Sequence, residues 1–310
     1  METISVIIVS WNARGFLRDC LLSIQKCGGP LLHEIIVVDN ASTDGSPDMV
    51  QADFPEVILV RANENLGFAK ANNIGLKRAT GSLFALINSD VIVHAHCFDA
   101  LAAHLQLHPE AGLVGPKVFG RDGQLQITCR QLPTLWNAAG RALAVDAAFS
   151  RLSSSVSGQK NNEDFKNVEA LNGCFWMARR KAVEQTGGLD ERFFFYAEDI
   201  DWCKRFGDAG WLVQFVPAAT ATHFGGGSSS NAPFRYSIEM LRANLVYWRK
   251  HRGRLGEGCF YLLSVIHHAV RLLPRGLKAL LEHDPNSKNT YKFRRSKLCM
   301  IWLLTGKGVQ

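Results

Sequence analysis

An α/β fold built on a parallel sheet is expected from two observations. Short apolar runs rich in β-branched residues alternate with stretches of helical spacing through the first ninety residues. The runs also end in small polar clusters, Ser10-Trp11-Asn12, Asp39-Asn40 and Asn88-Ser89-Asp90. In an open α/β sheet, ligands bind beyond the carboxyl ends of the strands, so three such clusters on successive strands converge on one edge. A single cluster is an ordinary turn. Three form a candidate site.

Residues 5–10 (SVIIVS) read as a buried strand, and residues 14–26 as a helix with a stripe of Phe16, Leu17, Leu21, Leu22 and Ile24. Residues 34–38 (EIIVV) form a second strand, which completes a βαβ unit with a right-handed crossover. A third strand at 57–60 and a helix at 66–79, entered through Asn63, Asn65 and Gly67, lead to the apolar strand 83–87. No GxGxxG follows the first strand and no GxxxxGK[ST] occurs, so the usual dinucleotide and P-loop readings lose their support.

Further on, a helix is expected at 98–107. The strand at 112–119 carries Pro116 and so reads as an edge or a bend. Residues 122–130 suggest a hairpin arm. The Ser/Asn-rich stretch 150–166 reads either as a mobile loop that orders over substrate or as a passive insertion. After an apolar segment at 168–178, bent at Asn172-Gly173, come four aromatics, Phe193 to Tyr196, which run directly into Glu198-Asp199 and Asp201. Aromatic walls beside carboxylates offer a sugar-stacking surface and a general base together. Asp201 is better suited to capping, or to pairing with Arg205 at i,i+4. A strand at 211–216 precedes His223 and a glycine run, beside which a ligand can approach the backbone closely, although taken alone His223 reads more readily as an ordinary hydrogen-bonded loop residue.

The chain has 310 residues, 47% of them hydrophobic, enough for one large domain or two smaller ones. Its net charge of +7 is unevenly placed. Residues 1–230 hold 20 of the 35 Lys/Arg and 24 of the 28 Asp/Glu, a net of −4; residues 231–310 hold the other 15 and 4, a net of +11. This break places a boundary near 230 and gives the C-terminal segment an anionic partner. Ile238, Leu241, Leu245 and Trp248 mark an amphipathic helix, most simply packed on the preceding domain. Residues 259–273 are apolar but short for a membrane span, and end at Pro274. With the basic KFRRSK stretch beyond, they fit a helix at an anionic membrane surface or, alternatively, a core helix with a solvated tail. The basic tail has few interleaved aromatics, and no nucleic-acid partner is expected. The eight cysteines form no CxxC pair, and residues 4–9 are too short and lack the basic flank of a signal peptide. A reduced cytoplasmic protein is expected.

Taken together, SVIIVSWN, IIVVDNASTDGS, NENLGFAKANNIGL, LFALINSDV, GLVGPKV, GGLDERFFFYAEDIDWCKR and HFGGGSS resemble, in order, the inverting, metal-dependent family 2 nucleotide-sugar glycosyltransferases, in their bacterial rhamnosyltransferase-like branch. The resemblance implies a GT-A fold over residues 1–230, a nucleotide-binding half fused to an acceptor-binding half, to which the charge break and helical spacing add a basic helical extension at 231–310. It further implies that Asp39 binds the donor base, and that Ser10 and Asn12 line the nucleotide pocket. Asn65, Gly67 and Asn73 would shape its wall. Asn88-Ser89-Asp90 stands in place of the family's metal-binding DxD triplet, with Asn88 touching the donor and Asp90 the metal. His223 would complete a Mg²⁺ or Mn²⁺ site, and Asp199 would be the general base. Glu198, Tyr196 and Trp176 are the acceptor-side candidates. The implied reaction moves a sugar, rhamnose from dTDP-rhamnose, to a glycan or lipid-linked glycan in cell-surface polysaccharide synthesis, at the cytoplasmic face of the inner membrane. A UDP-hexose donor, or an inactive sugar-nucleotide-binding module, is the alternative.

Overall fold

The structure, a computed structural model, describes residues 2–143, 166–225, 233–282, 284 and 287–307. Most of the expected loop at 150–166, and the glycine run from Gly226 onward, lie outside the described residues. In chain order the elements are β1 (Ile4–Ser10), α1 (Arg14–Cys27), β2 (Leu32–Asp39), α2 (Ser46–Asp53), β3 (Ile58–Arg61), α3 (Phe68–Arg78), β4 (Leu83–Asn88), β5 (Val91–Val93), α4 (Cys97–Leu107), β6 (Ala111–Phe119) and β7 (Cys129–Arg130). They continue with α5 (Leu135–Ala142), β8 (Lys166–Asn167), β9 (Ala170–Leu171), β10 (Phe175–Arg179), α6 (Arg180–Thr186), α7 (Glu198–Asp208), β11 (Leu212–His223), α8 (Pro233–Glu282) and α9 (Lys288–Thr305).

The chain forms two compact units, Met1–Leu132 with Val156–Ser228, and Pro133–Ser155 with Ser229–Gln310. In the first, a mixed sheet runs in the order β3-β2-β1-β4-β10-β6-β11-β5, with β8 also paired to β11, and β7 and β9 form a separate two-stranded sheet. β1, β2, β3 and β4 are mutually parallel, as the βαβ pattern requires, whereas β10 runs antiparallel to both β4 and β6. The apolar runs are buried on both faces. Ile4, Val6 and Ile8 pack with α1 and α4 side chains on one side, and Ile7, Ile36 and Val38 with α3 and α7 on the other. Each such side chain contributes roughly 1.5–3 kcal/mol on burial. Helix α1 docks through Leu17, Cys20, Leu21 and Ile24, an i, i+3, i+4, i+7 face; Phe16 and Leu22 of the expected stripe fall off that face and are exposed.

Two expectations change. Strand β6, with Pro116, is neither edge nor bend: it lies inside the sheet between β10 and β11. The irregularity appears on its partner instead. Pairing of β11 to β6 skips between Val216, opposite Pro116, and Thr220, opposite Lys117, so a bulge accommodates the missing N–H. The same bulge lets β11 resume as far as His223, where the sequence suggests an end at Val216.

The second unit is helical. Helix α8 is interrupted at Gly253, whose backbone (φ 67°, ψ −169°) is open to glycine and strained for other residues. It then passes through Pro274 to Glu282, so the apolar stretch does not stop at the proline. Among the described residues no helix is long and apolar enough to cross a membrane.

Candidate active site

The polar clusters at the strand exits do meet at one edge. Ser10 pairs with Asp39 in register, and Val9 with Asn88, so the carboxyl ends of β1, β2 and β4 are adjacent. Asp39 accepts a hydrogen bond from the Ser42 N–H at 3.0 Å through Oδ2, while its Oδ1 is buried without a partner. Ser10 Oγ and Asn88 Oδ1 are likewise buried and unpartnered. Buried polar atoms are seldom left so, and their clustering at a strand edge marks a place for a polar ligand. Asn12 is engaged in structure: its Oδ1 accepts from the Thr43 N–H at 2.7 Å and fixes the loop after β2.

Ser89 and Asp90 form the turn between β4 and β5, and β5 pairs antiparallel with the last residues of β11. That pairing brings His223 opposite Val91, with His223 Nε2 3.3 Å from Asp90 Oδ1. The hairpin after β6 delivers a third residue that the sequence did not single out. Gln126 Nε2 donates to the His223 carbonyl at 2.7 Å, so its Oε1 faces His223 Nδ1 at 3.0 Å. Nδ1 then carries the hydrogen, and Nε2 presents its lone pair to the Asp90 carboxylate unless a proton or cation stands between. An open cleft of about 710 Å³ runs beside this group, past Gly120, Gln124, Gln126 and Phe224.

The carboxylates at the start of α7 lie at the same end of the sheet. The Cys174 carbonyl accepts from the Asn88 N–H at 2.9 Å, and a Cβ on the preceding Gly173 would come 3.5 Å from Asp199 Cβ. Asp199 Oδ1 accepts from the Ile200 N–H at 2.8 Å, and Oδ2 faces Arg130 Nη1 at 3.6 Å. Burial raises the Asp199 pKa, and Arg130 is the main group opposing the rise. Glu198 is pushed well above the usual carboxylate range, by burial and then by the charge of Asp199. The two adjacent carboxyls thus differ in surroundings: burial raises both, the charge of Asp199 raises Glu198 further, and Asp199 faces the opposing Arg130. Tyr196 (φ 73°) and Ala197 (φ 63°) precede them in the left-handed region, a strained entry of the kind found at functional sites. Asp201 is fully buried and takes the expected i,i+4 partner, Arg205 Nε, at 2.9 Å.

Other expected wall residues are engaged by the protein. Asn65 Oδ1 accepts from Asn40 Nδ2 and from the Gly67 N–H, tying the turn before α3 to the end of β2. Both ends of the Asn73 amide bind the Leu189 backbone, at 2.8 Å each. Gly67 (φ 81°) seats the aromatic segment, since a Cβ there would lie 2.5 Å from the Phe194 carbonyl oxygen. Gly67→Ala is therefore expected to lower stability by about 1–3 kcal/mol and loosen the entry to α7, read by denaturant unfolding. Trp176, expected on the acceptor side, is fully buried; its ring packs against Trp202 at 5.3 Å and beneath Gly173, and it presents no face to solvent. Of the four aromatics, Phe193 is also core.

Arg130 and Gln126 carried no sequence signal. Both come from the hairpin arm, and only the folding of that arm over β6 and β9 shows where they point.

Comparison with known proteins shows the family and the fold. The model of the family "Glycosyl transferase family 2" matches residues 5–187. The chain is 30% identical, over 97% of its own length and 98% of the relative, to the N-acetylglucosaminyl-diphospho-decaprenol L-rhamnosyltransferase of Mycobacterium tuberculosis. Its fold resembles mannosyltransferase PcManGT from Pyrobaculum calidifontis in complex with GDP-Man and Mn²⁺ (TM-score 0.58, 18% identity, 99% of this chain and 88% of that one). It also resembles GalNAc-T7 with UDP, GalNAc and Mn²⁺ (TM-score 0.58, 15% identity, 98% of this chain and 56% of that one).

Proposed function

The chain belongs to glycosyl transferase family 2, in its rhamnosyltransferase-like branch and with a GT-A-like fold, and on that premise we propose that it transfers rhamnose from dTDP-rhamnose to a lipid-linked glycan with inversion, for cell-surface polysaccharide synthesis. The observation that carries this reading is the gathering of Asp39, Asn88, the Asp90–His223 pair and the Asp199–Arg130 pair at one end of the sheet. A donor with a charged diphosphate and an acceptor hydroxyl need this division of polar groups.

Asp39 Oδ1 and Ser10 Oγ are the free acceptors and donors for the nucleoside, and Asn88 Oδ1 for the donor's sugar or ribose. Asp199 takes the proton of the acceptor hydroxyl on its carboxylate, while the facing Arg130 opposes the rise in its pKa that burial causes. Glu198, whose pKa burial raises and whose Oε2 is buried without a partner, stands beside this base on the acceptor side. The partly buried rings of Phe195 and Tyr196 flank the entry.

The residues present suit a divalent ion. The carboxylate of Asp90 and the lone pair of His223 Nε2 face each other, a mixed oxygen and nitrogen set that favours Mn²⁺ over Mg²⁺. No third His, Cys, Asp or Glu joins them among the described residues, which leaves room for diphosphate oxygens. Bound there, the ion supplies positive charge to the departing diphosphate. Gln126 sets the imidazole in place. Gln126→Leu is expected to weaken Mn²⁺ binding about 10–100-fold, read by the electron paramagnetic resonance signal of free Mn²⁺ without any donor; unchanged affinity removes His223 from the metal site.

The second unit gives the membrane-surface reading its support. Leu273, Leu277, Leu280 and Leu281, at i, i+4, i+7 and i+8 on α8, are between 54% and 79% exposed in a segment of strong positive charge. Leu277→Glu/Leu281→Glu is expected to abolish flotation of the full chain with anionic liposomes; flotation equal to wild type ends the membrane proposal.

A screen of dTDP- and UDP-sugars with Mg²⁺, Mn²⁺ or chelator, following nucleotide release in the presence of a GlcNAc-diphospholipid, tests the whole reading. Preference for dTDP-rhamnose is expected. Preference for a UDP-hexose reassigns the donor, and release from none leaves a sugar-nucleotide-binding module.

A further inference from the structure

The helical unit contains a cation cluster that the transfer site does not use. His268, Arg271 and Arg275 stand at i, i+3 and i+7 on α8, along the side that meets α9. Arg275 Nη1 donates to Ser296 Oγ at 2.5 Å, and Ser296, fully buried in that contact, follows Arg295 directly. Arg271 Nη1 donates to the carbonyls of Ala142 on α5 and His267 on α8. Among the described residues neither Arg275 nor Arg295 has an ion pair with a carboxylate; the ion pairs of α8, Arg242–Glu239 and Arg249–Glu257, lie on its first half. Beneath the arginines His268 is 92% buried and its Nδ1 has no hydrogen-bond partner.

The charges strain one another. Burial, then Arg295 and Arg271, lower the Arg275 pKa. Burial and then the neighbouring His267, Arg295, Arg275 and Arg271 bring His268 down to about 4, so it adds no charge at neutral pH. Arg275 and Arg295, half-buried like charges with no carboxylate partner among the described residues, repel each other, and a bound anion relieves them. Guanidinium forks suit the tetrahedral oxygens of phosphate better than a single carboxylate, and several fixed cations match a multiply charged anion.

We propose that the seam between α8 and α9 binds a phosphate or diphosphate group, held by Arg275 and Arg295 with Arg271 at its margin. The group is the head of a lipid or a soluble phosphate ester, and both present the same oxygens.

The test uses the full chain without nucleotide sugar, so its outcome is independent of transfer. Binding of inorganic pyrophosphate is measured by calorimetry, and binding to phosphatidylcholine vesicles with and without phosphatidic acid by flotation. Three proteins are compared: wild type, Arg275→Gln/Arg295→Gln, and a control, Arg252→Gln/Arg254→Gln, which removes the same charge from exposed positions. Wild type and control are expected to bind at least one probe alike, and the seam variant about tenfold or more weakly, as the loss of charge-assisted hydrogen bonds requires. Pyrophosphate binding assigns a soluble ligand; binding to phosphatidic acid vesicles alone assigns a lipid head. Removing mutual repulsion should leave the melting temperature unchanged or higher. If the seam variant melts early, Arg275→Lys/Arg295→Lys, which keeps charge but not the forks, carries the comparison and should still bind more weakly than wild type. Binding of neither probe by wild type, equal loss in the control, or unweakened binding by the folded seam variant overturns the proposal.

Discussion

Asp199→Asn is expected to slow transfer by about 10²–10⁴-fold while leaving donor affinity within about twofold, because it removes the proton acceptor and not a donor contact. It should also make the protein more stable at neutral pH. The folded-state pKa of Asp199 lies above its unfolded value, with burial as the main cause. A group raised in this way contributes stability that is fully present below the unfolded pKa and is lost as pH rises through the folded pKa. At pH 7 wild type therefore carries the cost of a buried charge that asparagine lacks. The melting temperature of the variant should exceed that of wild type at pH 7, and the gap should narrow on acidification. Arg130→Gln should leave the base in place and move the acidic limb of the rate profile to higher pH, since the main group opposing the rise is gone. A variant of Asp199 that transfers at the wild-type rate places the base elsewhere.

Asp90→Ala is expected to lower metal-dependent donor binding by about 100-fold or more, the scale of losing a charge-assisted ligand worth roughly 3 kcal/mol. The turn itself should survive. Its contact with β11 runs from the Phe224 N–H to the Asp90 carbonyl, which the substitution leaves intact. His223→Ala should reproduce much of the loss, and the double variant should cost little more than either single one, as expected of two residues acting as a unit. Titration of donor into each variant, with Mn²⁺ and with chelator, reads this directly. Donor binding by Asp90→Ala that matches wild type with metal and falls equally on chelation would move the metal away from this turn.

The strands that build the site were readable because burial on both faces leaves unbroken apolar runs, and because polar residues can follow them only where the sheet ends. Asp39, Asn88 and Asp90 therefore stand at strand ends in both sequence and structure. The later half was harder to read. The bulge opposite Pro116 lets a strand continue through Pro217, which as sequence looks like a stop, and that continuation carries His223 to Asp90. Asn65 and Asn73 look like ligand groups because amides bind ligands and backbone equally well; only the fold shows their partners to be Asn40, Gly67 and Leu189. Trp176 sits in a strand whose alternation places it in the core against Trp202. Arg130 and Gln126 depend on long-range packing of a short arm, which no local periodicity records.

The anomeric configuration of the product tests the central claim most directly. With dTDP-rhamnose, metal and a GlcNAc-diphospholipid acceptor, the new glycosidic bond is assigned by nuclear magnetic resonance against that of the donor. Direct displacement with Asp199 as the base on the acceptor side predicts inversion. Retention of the donor's configuration would contradict it.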